Sequence, residues 1–92
     1  MDDEQKQIKA IGRGVKAKVT LENESIKNAF DYLEAEYIRG WKACDTPEGR
    51  DRWWQGTQVL EKVKQHLVLA IRDGEVAKRI LESIENERRR AA

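Results

Sequence analysis

From Ile26 onward, apolar residues recur in steps of three and four: Ile26, Ala29, Phe30, Leu33, Tyr37, Trp41 and Cys44. That period lays them along one face of a helix. Asp31, Glu34, Glu36, Arg39 and Lys42 fall mostly elsewhere on the wheel. Asn23 is a suitable N-cap, and Glu24 puts negative charge in the first turn, where it complements the helix dipole. These signals predict a first helix over about residues 24–43. Asp45-Thr46-Pro47-Glu48 then punctuates the chain. Thr46 can cap, proline suits the first helical turn, and Glu48 again favours the dipole. So short a connection forces the flanking helices to run antiparallel and pack together.

The second helix carries Trp53, Leu60, Val63, Leu67, Ala70 and Ile71 at similar spacing. Asp73-Gly74 is an ambiguous break, because glycine can end a helix. The stripe nevertheless stays in phase through Leu60, Val63, Leu67, Ala70, Gly74, Ala77, Leu81 and Ile84. A preserved register predicts one helix, kinked or straight, from about Pro47 to about Glu87. It would be roughly 60 Å long, about twice the first helix. Its second half therefore requires another partner, either the amino-terminal arm or another copy of the chain. At the closed end, Tyr37, Trp41, Trp53 and Trp54 form an aromatic cluster, with Gly40 and Gly56 as the small residues beside it. Burial of each ring is expected to contribute ~2–3 kcal/mol.

Residues 1–22 are polar and less decided. Asp3 to Ile11 make a short helix with Ile8 and Ile11 on one side, which Gly12-Arg13-Gly14 interrupts, since glycine is costly within a helix. Val15, Ala17 and Val19 alternate with Lys16, Lys18 and Thr20, a strand period. A lone strand is not stable, so residues 12–22 read as an extended or loosely helical arm. The predicted fold is all-α: an antiparallel helical hairpin with a long second helix and a short N-terminal arm. The arm is 1–22 and the hairpin domain 23–92.

Composition narrows the functions available. With 18 basic and 17 acidic side chains in 92 residues, net charge points to neither a nucleic-acid binder nor a membrane-surface protein. No apolar run approaches the ~20 residues that span a bilayer, so no membrane partner is expected. The acidic, polar amino terminus is unlike a secretory signal. A single cysteine, Cys44, cannot form an internal disulfide, which favours a reducing, cytoplasmic setting.

The search for reactive groups yields no site. His66 has no cysteine or second histidine near it, and Cys44 would sit ~30 Å from it along the hairpin. Gly12-Arg13-Gly14-Val15-Lys16 lacks the spacing of a phosphate-binding loop. Glu34 and Glu36 point about 200° apart, and Glu34 is expected to pair structurally with Gln58 or Lys62. No catalytic residue, cofactor or metal site is identified, and the chain is read as a non-enzyme. Two basic features remain as candidate polyanion contacts. Arg50 and Arg52 lie beside Trp53 and Trp54, with Lys62 as a further expected contact, although an arginine laid across a ring is the plainer reading. Arg88, Arg89 and Arg90 close the chain, where positive charge suits a helix C-terminus.

The block from Asn23 to Leu81, about two thirds of the chain, carries Ala29-Phe30, Leu33-Glu34-Ala35-Glu36, Trp41-Lys42-Ala43, Gly49-Arg50 and Trp53-Trp54. Further along it has Lys62-Val63, His66-Leu67 and Asp73-Gly74-Glu75-Val76-Ala77. Together these resemble a group of small uncharacterised helical proteins encoded by tailed bacteriophages and prophages, often close to virion-structure genes. Such relatives often have proline after the capping asparagine, where this chain has Glu24. The resemblance implies a phage origin, with the host cytoplasm or the virion as location, and carries over no catalytic residue. The expected function is a virion-structural or assembly-associated role through helix-mediated oligomerisation or binding to a phage structural protein. Val76, Ala77, Ile80, Leu81 and Ile84 are its expected surface. The rival expectation is a small phage regulator or host-defence inhibitor binding nucleic acid, a nucleotide or a host protein.

Overall fold

The computed structural model describes residues 3–91, leaving outside it the first two residues of the arm and Ala92 at the chain's end. Three helices account for nearly all of the described residues: α1 (Asp3–Glu22), α2 (Glu24–Ala43) and α3 (Pro47–Ala91). The fold is all-α, and the long second helix of the hairpin is α3. Asn23 alone separates α1 from α2. Its backbone is extended, its side chain accepts from the Ile26 N–H at 3.0 Å, and its carbonyl accepts from Lys27. One residue thus supplies the acceptors that the first turn of α2 lacks. Thr46 does the same for α3: Gly49 N–H donates to its hydroxyl at 3.1 Å and Arg50 N–H to its carbonyl at 3.0 Å. Pro47 follows as the first helical residue, where its missing N–H costs nothing.

The chain forms two packed units. One comprises residues 21–66, in which α2 lies against the first half of α3. Aromatic rings here rest on glycines. A β-carbon at Gly40 would fall 2.4 Å from the Trp53 ring, and one at Gly56 would fall 3.4 Å from the Tyr37 ring. Tyr37 and Trp53 in turn meet with ring centres 6.1 Å apart at 52°. Glu34 pairs with Lys64 at 3.3 Å, not with Gln58 or Lys62. The register places Lys64 toward α2, with its ammonium 5.5 Å from the Phe30 ring centre, while Val63 of the expected apolar stripe is exposed.

The other unit comprises residues 1–20 and 67–92. Here α1 packs antiparallel on the second half of α3, with Gly14 near Ala70 and Gly74 and with Glu4 paired to Arg88. The expected interruption at Gly12–Gly14 is absent, and so is the extended stretch over 12–22: α1 is continuous through both. The reason is tertiary. A β-carbon at Gly14 would lie 2.9 Å from the Ala70 carbonyl oxygen and 3.1 Å from Gly74 Cα; one at Gly74 would lie 3.2 Å from the Ala10 carbonyl oxygen and from Gly14 Cα. Two backbones meet where neither has a side chain, and this approach offsets the helix cost of both glycines. Ala17 and Ala77 are buried beside them, Ala77 to 1% exposure. The alternation of Val15, Ala17 and Val19 is therefore two helical faces, with Ala17 inward and the valines outward.

The two helices of this seam carry one sequence pattern twice, sixty residues apart. Ala10-Ile11, Gly14, Ala17-Lys18 and Leu21-Glu22 recur as Ala70-Ile71, Gly74, Ala77-Lys78 and Leu81-Glu82. The groove alongside the crossing is lined by equivalent positions from both copies: Ile11 and Ile71, Gly14 and Gly74, Val15 and Glu75, Lys18 and Lys78. Related sequences packed antiparallel give the seam a local two-fold character.

Gly12 and Gly14 provide a paired test. A β-carbon at Gly12 would meet nothing within 4 Å. Gly12→Ala is expected to stabilise the dilute chain by about 0.5–1 kcal/mol through helix propensity. Gly14→Ala is expected to destabilise it by about 1–2 kcal/mol, because two backbones must separate. Urea unfolding followed by circular dichroism at low micromolar concentration reads both signs.

Candidate interaction surfaces

In the α2-containing unit, Ile38, Trp41, Trp54 and Leu60 wall a groove of about 300 Å³, to which the Glu34–Lys64 pair also contributes. Trp53 and Trp54 are adjacent but play different parts. Trp53 seats on Gly40, whereas Trp54 is 53% exposed at the groove. Arg50 is stacked on Trp41, its guanidinium carbon 4.7 Å from the ring centre. A guanidinium used this way is an internal cation–π partner. Arg52 and Lys62 are exposed. At the other end of α3, Arg88 is paired with Glu4, while Arg89 and Arg90 are exposed in the last turn. Of the six candidate polyanion contacts, Arg50 and Arg88 are thus engaged within their own units.

The remaining reactive side chains have local roles. The Cys44 thiol is near Thr46, 3.7 Å from its hydroxyl, and its sulfur lies where a β-carbon of Gly49 would be. His66 is exposed. Among the described residues, no three potential metal ligands cluster, and no helix is long and apolar enough to cross a membrane.

The expected association surface on α3 divides in two. Ala77 is covered by α1, and Leu81 and Ile84 line a groove with Ile8 and Glu4 of α1. These three are occupied by contacts within the chain, so α1 is the partner that the second half of α3 required. Val76 and Ile80 remain exposed, and Leu69 shares their face. α1 has its own outward apolar residues, Ile8, Val15 and Val19, each more than half exposed. Sequence reasoning missed this α1 face because it took the segment for an arm. The repeated Ala-Ile-x-x-Gly-x-x-Ala-Lys-x-x-Leu-Glu pattern was the available signal: a segment that matches a confident helix at every seam position is itself a helix.

The apolar exposure adds up. Among the described residues, only Ala17, Leu60 and Ala77 are buried apolar side chains, and the chain exposes 7450 Å². Comparison with protein families, with curated proteins and with solved structures finds no match.

The unequal roles of the tryptophans are testable. Trp53→Ala is expected to cost about 2 kcal/mol, since it empties the seat on Gly40 and removes the Tyr37 contact. Trp54→Ala is expected to cost less than about 1 kcal/mol, as for a largely exposed side chain. Thermal unfolding of the two variants, matched in concentration, checks the difference.

Proposed function

We propose that this chain is a non-catalytic helical association protein, phage-encoded and virion-structural or assembly-associated, that works by burying its exposed apolar helix faces against further protein. The observation that carries the reading is the accessible surface. Among the described residues only Ala17, Leu60 and Ala77 are buried apolar side chains, while Ile8, Val15, Val19, Leu69, Val76 and Ile80 stand exposed on the helices, and apolar faces of this kind can be buried against partners. The phage origin rests on the resemblance of the Asn23–Leu81 block, and with it a place in the host cytoplasm or the virion.

The regulator reading, with nucleic acid or a nucleotide as ligand, is the less favoured. It relied on Arg50, Arg52, Lys62 and the arginine tail, and Arg50 and Arg88 already have partners within the chain. Light-scattering mass of the purified full chain across a concentration series, with absorbance at 260 and 280 nm, separates the two. The association reading expects mass to rise well above 10.7 kDa with no nucleic acid in the peak. A monomer at every concentration, or a peak that carries nucleic acid, would overturn it.

A further inference from the structure

Along the groove of the α2-containing unit, two helices bring the same pair of residue types to the same levels. On α2, Glu34 precedes Trp41 by seven residues, and on α3, Trp54 precedes Glu61 by seven. Seven residues are about two turns, or roughly 10 Å of helix, so on each helix the carboxylate and the indole share a face. The helices run antiparallel, as the contacts Gly40–Trp53, Tyr37–Gly56 and Glu34–Lys64 require. The opposite orders therefore coincide. Trp41 lies level with Trp54 at one end of the groove, and Glu34 with Glu61 at the other. All four line its volume of about 300 Å³, together with the buried Leu60. That size is at the lower bound of small-molecule sites.

The two ends differ in charge. Lys64 is the basic residue of the lining, and its ammonium is engaged 3.3 Å from Glu34 and against the Phe30 ring. Glu61 makes no salt bridge among the described residues. Two carboxylates and one ammonium leave this end with one net negative charge. At the aromatic end the charge is positive, because the Arg50 guanidinium is stacked on Trp41. Trp54 is more than half exposed there and presents ring area to the groove.

We propose that this groove binds a small organic amine, with an apolar body between Trp41 and Trp54 and an ammonium that donates to Glu61 beside Glu34. The site goes beyond the association reading and holds whether or not the chain self-associates. Charge selects the class of ligand: an anion would meet two carboxylates, and a bare inorganic cation would forgo both indoles. Arg50 selects the orientation, since it disfavours a cation at the aromatic end. The ring faces contribute dispersion and apolar burial, and the carboxylates contribute charge-assisted hydrogen bonds.

The probe is phenylbutylamine, whose extended chain spans most of the distance between the indoles and the carboxylates. Phenylvalerate and phenylbutanol are its anionic and neutral counterparts. Isothermal titration calorimetry on the full chain is expected to show saturable binding of the amine and none of the carboxylate. The alcohol is expected to bind about fivefold to tenfold more weakly than the amine. Added salt should weaken the amine and leave the alcohol unchanged. Glu61→Gln is expected to bring the amine down to the level of the alcohol. Trp54→Ala is expected to weaken amine and alcohol alike, by about tenfold. Glu61→Lys reverses the net charge of that end, so preference should pass to phenylvalerate. Both positions are exposed, and circular dichroism checks that the helices are kept. Glu61→Gln changes one exposed polar side chain and decides the matter even if Trp54→Ala were to unfold. Absence of saturable amine binding by the wild type would overturn the proposal, and so would equal binding of amine and alcohol. An amine response unchanged by Glu61→Gln, or by a folded Trp54→Ala, would overturn it too, because the amine would then be bound elsewhere.

Discussion

At Gly14 a β-carbon would fall 2.9 Å from the Ala70 carbonyl oxygen and at Gly74 one would fall 3.2 Å from Gly14 Cα, so two helix backbones meet there without side chains, and the rest of the α1-containing unit is arranged around that contact. Close approach by small residues maximises dispersion contacts per atom but buries little apolar area. Ala10, Ala17, Ala70 and Ala77 extend the seam in the same currency of small side chains. The larger residues of both helices, the isoleucines, valines and leucines, are pushed to its edges or to its outer faces. A seam made this way holds two helices in register and leaves the apolar surface that would build a core still facing outward.

The α2-containing unit uses glycine to a different end. Gly40 and Gly56 are seats for rings, and Trp53 and Tyr37 fill them. Flat aromatic area is packed there, which explains how α2 and the first half of α3 associate with one buried leucine, Leu60, and no extended core. Arg50 over Trp41 and Lys64 beside Phe30 cover ring faces that a larger protein would cover with aliphatic side chains. In both units, glycine sets how closely the helices come together.

The hairpin was legible in the sequence because its signals are local. Asn23, Thr46 and Pro47 fix where helices begin through hydrogen bonds and dihedral limits within a few residues. α1 was not legible by the same means. Gly12 and Gly14 argue against a helix locally, and the contact that reverses this at Gly14 comes from Gly74, far along the chain. The surface residues divided for a related reason. Period alone put Ala77, Leu81 and Ile84 on an apolar stripe, but whether its partner was the arm or a second copy depended on the arm being helical. The pairing of Glu34 with Lys64 in place of Lys62 or Gln58 turns on a fine shift in helix register that residue spacing does not resolve.

The duplicated seam makes environment readable from the chain itself. Where the same contact must be made, the residues are the same: Ala, Ile, Gly, Ala, Lys and Leu at matching places in both helices. Where the copies part, each difference reports a difference of surroundings. Arg72, Glu75 and Arg79 are the residues expected of a helix face in water. Gly12, Val15 and Val19 are not, and β-branched residues and glycine at exposed helical positions weaken the helix that carries them. Among the described residues, a β-carbon at Gly12 would meet nothing within 4 Å, so no close contact there accounts for the glycine as Gly74 does for Gly14.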